Sequence, residues 1–450
     1  MRITRVLSLA LITPLCACTY LLPAQPQQVA SGFTSHLICS ETFVSGQDPA
    51  QIYAERIAPT GNMWLLNGML HYTVDHTRQQ VEADVAGRYR STAYYRPGAG
   101  CTLGAQPPTL SDIEVPASTD TIVPTANPAL SKALDLAFAE RAQPPHVWTH
   151  AVVILKNGRI IAERYAPGFG PDTPLLGFSA TKSVTNALIG ILVRQGKLTL
   201  DQPAPIAQWQ HDARHAITIN TLLRQTSGLD LPQTNSGFDA TSRMSFVEHD
   251  MAGFAASRPL AYTPGSHWAY TDGNYLLLSR ILRDAVGGDA AAVRRFAERE
   301  LFAPLGMYHV TLEFDATGTP SGAAFMLAPA RAWARLGQLY LDDGMVNGQR
   351  ILPTGWVQYS ASQTLDTGYG AGFWTNQANG DGPWGLPWGF PDAPRNTFFA
   401  MGHMGQFVIV IPSEKLVIAR FGASHHPDGL LPGMDKVIAT VIAATHSTAQ

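Results

Sequence analysis

The stretch L-L-G-F-S-A-T-K-S-V-T-N-A-L-I-G-I-L-V, Leu175 to Val193, decides how the rest of the chain is read. Ser179 is followed three places later by Lys182, and after Phe178 the apolar residues Val184, Leu188, Ile191 and Leu192 recur at helical spacing. The spacing predicts that Ser179 opens a helix and that Lys182 lies one turn on, on the same face. A serine hydroxyl is a poor nucleophile until a neighbouring base takes its proton. A buried lysine one turn away helps, either neutral or by holding an anionic base nearby. A helix N-terminus adds partial positive charge, and the Ser179 backbone N–H is placed to meet a developing oxyanion. Alone, S-x-x-K is weak: about one or two chance matches are expected in a chain this long. The competing reading is an N-cap serine beside a solvated lysine.

Composition narrows the class. A chain of 450 residues suits one large catalytic domain with an appendage. With 45% apolar and 14% charged residues it has the means to bury a sizeable core, and disorder is not expected over most of its length. A formal net charge of −3 gives no electrostatic case for nucleic acid. The 40 Gly, 32 Pro and 9 Trp point to long ordered loops rather than a simple bundle.

The first residues read as an export signal: Arg2 and Arg5 form a basic start, and Val6 to Ile12 are mostly apolar. That run is far shorter than the ~20 residues that span a bilayer. Leu15-Cys16-Ala17-Cys18 resembles a bacterial lipobox, with Cys18 as the acylated N-terminus of a periplasmic, membrane-anchored chain. An ordinary signal peptide is the alternative. Either way only Cys39 and Cys101 remain, and in an oxidising compartment they are expected to pair. Two separate buried thiols are the competing reading.

The remaining organisation follows in order. Residues 1–17 are the signal, 18–32 a polar tether, 33–105 a small α+β lobe closed by the disulfide, 106–127 a Pro/Ser/Thr-rich linker and 128–446 the main domain. Ala129 to Glu140 reads as an amphipathic helix. His150 to Tyr165 reads as a hairpin turning at Asn157-Gly158. Ile217 to Asp230 reads as a helix closed by Gly228. In Pro264 to Leu282 a loop brings Tyr270 to the mouth of an apolar helix. Phe398 to Gly422 reads as two strands around Pro412-Ser413.

S-A-T-K, Y-T-D and H-M-G stand in the order and approximate spacing of the S-x-x-K, Y-x-N and K-T-G elements of serine β-lactamases and penicillin-binding proteins. The pattern most resembles the class C and esterase-like branch, including 6-aminohexanoate-dimer hydrolase-like enzymes. T-L-L-R-Q-T-S-G-L, L-G-Q-L-Y-L-D-D-G, C-S-E-T-F-V-S-G and Y-R-P-G-A-G-C-T-L extend the resemblance from about His36 to about Ile442. It implies an α/β (α+β) β-lactamase-type fold: an antiparallel sheet flanked by helices, plus a helical subdomain, with the cleft between them.

Carried over, the resemblance makes Ser179 the nucleophile and Lys182 the group that lowers proton affinity around it. Tyr270 becomes the general base for acylation and the proton donor to the leaving group. A tyrosine titrates near ~10 unperturbed, so the lysine cation is expected to bring it into working range. The strand carrying His403, Met404 and Gly405 borders the cleft. Gly405 lets substrate approach the backbone, and the Gln406 N–H is the second oxyanion donor beside that of Ser179. Two positions depart from the pattern. Asp272 replaces the usual Asn and is expected either to bind substrate or to cap the following helix. His403 replaces the K-T-G lysine, and a histidine is mostly neutral near pH 7.

That substitution turns the expectation from β-lactams toward small esters or linear amides. The segment carrying Trp374, Trp384 and Trp388 is expected to line the cleft with apolar area. Neither a cofactor nor a metal is called for: there is no H-E-x-x-H and no Cys/His ligand cluster. Ser179 lacks the second glycine of G-x-S-x-G, which argues against the α/β-hydrolase fold. The rival readings are β-lactamase or D-alanyl peptidase activity, and a non-catalytic sensor on the same scaffold. The expected partner is a small-molecule substrate, with the membrane reached only through the lipid.

Overall fold

The computed structural model describes residues 24–66, 68–110, 121–125, 127–377, 389–425 and 430–447. The expected signal, Cys18, Trp384 and Trp388 lie outside the described residues. The main domain is built on a six-stranded sheet in which every neighbouring pair is antiparallel. From edge to edge its strands are Trp374–Thr375, Phe398–Gly402, Gln406–Ile411, Leu416–Gly422, Thr149–Lys156 and Arg159–Tyr165. The last two form the expected hairpin. Asn157 and Gly158 adopt φ of +52° and +75°, which a two-residue turn matched to strand twist requires.

Strand alternation sorts the sheet's side chains into two cores. Val153, Leu155, Val408, Val417 and Ala419 face the helix Ala330–Leu341 and the serine helix Thr181–Arg194. Val152, Ile154, Ile409, Ile411 and Ile418 face the helices Pro128–Ala137 and Leu431–Ser447. Both faces are covered, so these strands read as continuous apolar runs rather than as alternation.

The N-terminal lobe is a helix, Ala24–Phe43, laid on a four-stranded antiparallel sheet of Leu70–Asp75, Gln80–Val85, Arg88–Arg96 and Gly100–Leu103. The Cys39–Cys101 disulfide joins helix to last strand. Where a tether was expected over 18–32, the chain is helical from Ala24 onward. Its polar, small-residue composition concealed a packed helix: Ala30, Ser31 and Gly32 are buried, and a side chain on Gly32 would strike the Phe246 backbone. The fully buried Glu313 docks this lobe on the main domain, accepting hydrogen bonds from Ser40 Oγ (2.8 Å) and the Cys101 N–H (2.8 Å) and pairing with His36 Nε2 (2.9 Å).

Two further expectations are corrected. The helix expected over Ile217–Asp230 is only Ile219–Leu223, opened by a capping box between Thr218 and Thr221. Gln225 at φ +61° and Gly228 at +75° break it. The H-M-G motif, expected within a strand, is instead the turn between two strands, with Gly402 paired in register to Gln406. Met404 (φ +61°) and Gly405 (φ +79°) take left-handed conformations that no strand accommodates.

Candidate active site

Ser179 sits in a one-turn 3₁₀ segment, Phe178–Ala180, immediately before the α-helix Thr181–Arg194. It precedes the α-helix rather than forming its first residue. Phe178 holds φ +44°, a conformation that costs a non-glycine residue about 1–2 kcal/mol and so needs support from its surroundings. Packing supplies it: Gly177 lies so close to the Trp333 indole that an added Cβ would overlap the ring, and Trp333 Nε1 donates to the Leu175 carbonyl (3.2 Å). Behind the serine, Thr181 Oγ1 accepts from the Met326 N–H (3.2 Å) and Thr185 Oγ1 donates to the Gly322 carbonyl (2.7 Å).

Lys182 is buried, and each of its three N–H donors has a partner. It donates to Ser179 Oγ (3.0 Å) and the Ala323 carbonyl (2.9 Å), and forms a short ion pair with Asp272 Oδ1. Its ammonium lies 4.8 Å from the ring centroid of Tyr270 and 5.8 Å from that of Tyr275. The expectation that this cation brings the Tyr270 phenol down into working range is therefore corrected. The ammonium meets the face of the ring, with no donor left for the phenol oxygen. Burial, and then the Asp272 carboxylate, hold the Tyr270 hydroxyl well above its ordinary range, opposed by its hydrogen bond with Ser179. Tyr270 as a whole is only half-buried, which moderates the size of that effect but not its direction.

Asp272 does not cap its helix. Thr271 is the N-cap, and Asp272 is the first helical residue, its side chain spent on Lys182. Two residues that sequence reasoning did not single out hold this corner. Gln233 Oε1 accepts from the Asp272 N–H (2.7 Å), and buried Gln225 accepts from the Thr271 N–H (3.2 Å) and Asn274 Nδ2 (2.7 Å). Gln225 lies in T-L-L-R-Q-T-S-G-L, the signal that could have found it. Tyr270 stacks on Trp374 (5.5 Å, 20°) and meets Tyr369 edge-on (5.7 Å). Trp374 is buried, so it backs the tyrosine instead of forming an open wall.

The third motif reaches the same corner. The His403 ring meets Phe178 edge-on at 5.5 Å, and Gly402 presses so closely on the Gly177 carbonyl that a Cβ there would collide with it. Gln406 therefore stands across the hairpin from the residue that touches the Ser179 turn. Its buried side chain ties the turn to the next strand, donating to the carbonyls of His403 (2.8 Å) and Gly422 (2.7 Å) and accepting from the Gly422 N–H (3.0 Å). Buried Arg420 donates to the Gly405 carbonyl (2.8 Å). His403 is itself open to solvent, but the protein packed around it, and then His425 and Arg56, push its imidazole down, to about 4. Its exposure limits how far; the direction leaves it neutral near pH 7.

The arrangement thus joins a serine, a buried lysine paired with a carboxylate, a phenol held protonated, and the start of the strand that follows the 403–405 turn. Comparison with known proteins places the chain by sequence and by fold. The Beta-lactamase family model matches residues 137–441. The 6-aminohexanoate-dimer hydrolase of Paenarthrobacter ureafaciens is 24% identical over 304 residues, 62% of this chain and 74% of that protein. Protein flp of Staphylococcus aureus (strain MW2) is 24% identical over 196 residues, 40% of this chain and only 38% of flp. A penicillin-binding protein homolog from Caulobacter crescentus has a TM-score of 0.55 at 19% identity, covering 72% of this chain and 99% of that one. EstA from Arthrobacter nitroguajacolicus Rue61a has a TM-score of 0.55 at 14% identity, covering 74% and 100%. At such identities the solved structures speak for the fold alone. The family match takes in well over half of the chain and all three motifs, and on that ground the protein belongs to the Beta-lactamase family of hydrolases.

Proposed function

We propose that this protein is an exported serine hydrolase that acts through an acyl-enzyme on small esters or linear amides. The observation that carries the reading is the Lys182 hydrogen bond to Ser179 Oγ, made by an ammonium also paired with Asp272 and set against the Tyr270 ring. Ser179 attacks the substrate carbonyl, and the Ser179 and Gln406 N–H groups meet the oxyanion. Tyr270, held protonated, works as a relay: it takes the serine proton as it gives its own to the leaving oxygen or nitrogen. No free phenolate is needed, and Lys182 stays a cation throughout. Water then attacks the acyl-enzyme, and the relay runs in reverse.

The relatives named above include one named as a 6-aminohexanoate-dimer hydrolase, which supports a small amide as the substrate class. The neutral His403 supports it as well, since a carboxylate-bearing β-lactam gains no positive charge there. Export and a lipid at Cys18 belong to the same proposal and rest on the N-terminal sequence. The test is a fluorophosphonate probe with mass spectrometry, followed by a panel of short p-nitrophenyl esters, linear amides, D-alanyl peptides and a chromogenic cephalosporin. The adduct is expected on Ser179, and Ser179→Ala is expected to lose several orders of magnitude in kcat. An adduct on another residue, or an active Ser179→Ala, refutes the nucleophile. A cephalosporin cleaved faster than every ester and linear amide refutes the substrate class.

A further inference from the structure

Both turns of the candidate site depend on a residue from outside the main domain. Arg56 belongs to the N-terminal lobe, in the segment after the helix Ala24–Phe43, and its side chain is buried. Its Nε donates to Glu41 Oε2 at 2.7 Å, and Glu41 lies on that helix two residues after the disulfide-bonded Cys39. Its Nη1 crosses to the main domain, donating to the Gly422 carbonyl (3.2 Å) and reaching Met404 Sδ (3.7 Å). Its guanidinium carbon lies 5.9 Å from the centre of the Phe178 ring. One planar group therefore touches the residue before the nucleophile, the middle residue of the third motif, and the strand end that Gln406 also grips. Phe178 and Met404 are the non-glycine residues that hold left-handed backbone in the two turns. Such conformations persist only where neighbouring groups over-determine them.

Resting on the serine-hydrolase reading above, we infer that Arg56 is a positioning residue for the oxyanion site: it clamps the Ser179 turn and the 403–405 turn at one fixed separation. Its charge is not offered to substrate, because it is buried and matched by Glu41. Its work is geometric. Two N–H groups, one on the Ser179 turn and one at the strand start that follows the 403–405 turn, stabilise an oxyanion only while both point at one place, and a shift of a fraction of an ångström weakens the transition state more than the ground state. The N-terminal lobe is on this reading part of the catalytic machine rather than an appendage. Arginine suits the task because its rigid fork donates in two directions at once, which a lysine ammonium on a flexible stem does not reproduce.

The test compares Arg56→Met, Arg56→Lys and Glu41→Gln with wild type in the full chain. Active sites are first titrated with the fluorophosphonate probe, so that rates are counted per competent serine. Arg56→Met is expected to lower acylation kcat about 10–100-fold with little change in KM for a neutral ester. It is also expected to weaken an alkyl boronic acid, a mimic of the tetrahedral oxyanion, by the same factor. Arg56→Lys recovers part of both losses, and Glu41→Gln shows a smaller paired loss. A merely structural role predicts fewer titratable sites and a lower melting temperature, with unchanged kcat and boronate affinity per site. That outcome overturns the inference. Should Arg56→Met fail to fold, Glu41→Gln decides, and unaltered boronate affinity there overturns it equally. Wild-type protein that never labels at Ser179 sinks the hydrolase reading instead, a result visible before any Arg56 variant is made.

Discussion

Replacing His403 by lysine tests how the third motif selects substrate. In wild type the imidazole is neutral near pH 7, pushed down to about 4 by the packing around it and by the nearby His425 and Arg56. His403→Lys places an ammonium at the same exposed position beside the Ser179 turn. Arg56, paired with Glu41 at 2.7 Å, is the buried cation nearest to it and opposes it in part. One partly exposed charge-assisted hydrogen bond to a ligand carboxylate contributes about 1–2 kcal/mol. The ratio of kcat/KM for a cephalosporin to that for a short p-nitrophenyl ester should rise roughly 5–30-fold. The assay is that ratio, measured at several pH values between about 5.5 and 8. Wild type should show a ratio that changes little between about pH 7 and 8, because His403 is held below its ordinary range. The same depressed ionisation has a sign for stability. The unfolded histidine titrates near ~6.5, so the neutral state's contribution is present above that pH and is lost as pH falls toward about 4. A wild-type ratio that climbs as pH drops from about 8 to 7 would mean that His403 charges in this range, and an unmoved ratio in the variant would mean that its position does not see the carboxylate. Either result refutes the reasoning.

Three other outcomes are expected. Asp272→Asn strips the countercharge from a buried ammonium while keeping an oxygen to accept its hydrogen bond, so denaturant titration should show a loss of about 1–3 kcal/mol; an unchanged midpoint contradicts the ion pair. Gly177→Ala drives a methyl into the Trp333 ring, and activity should fall at least tenfold, with recovery in the double variant carrying Trp333→Phe; full activity in the single variant counts against a tightly held serine turn. Cys18→Ser should release the protein from membrane fractions, and retention there rules out the lipid as its anchor.

The three motifs were readable because the chemistry they are proposed to carry restricts them to few residue types at fixed offsets. The three-residue spacing brings Lys182 to Ser179 even though Ser179 sits in the 3₁₀ turn before the helix, and Asn157-Gly158 allows few structures other than a tight hairpin. The even cysteine pair also reads directly into the disulfide. What stayed hidden depends on contacts between distant segments. Asp272 looked like a cap because its partner Lys182 lies 90 positions earlier in the chain. The helix Ala24–Phe43 looked like a tether because its packing uses Ala, Ser and Gly, which carry little hydropathy signal. The H-M-G turn looked like strand because flanking apolar runs masked a left-handed methionine, and nothing local announces that conformation at a residue with a side chain. Arg56 and Arg420 had no motif at all; each supports the site through backbone carbonyls, whose positions no residue type records.

The pairing of Thr149–Lys156 with Leu416–Gly422 carries a consequence for biosynthesis. Until the last strand is made, Thr149–Lys156 has only its hairpin partner, and a lone two-stranded ribbon is marginal in water. The edge it leaves open is almost entirely apolar, Ala151 to Leu155, an inviting template for another chain. The growing polypeptide therefore carries an incomplete central sheet through most of its synthesis, and sheet formation waits for the closing strands. A chain cut short before Leu416 should accumulate as aggregate rather than as a smaller folded protein, even though Ser179, Lys182 and Tyr270 are all present in it.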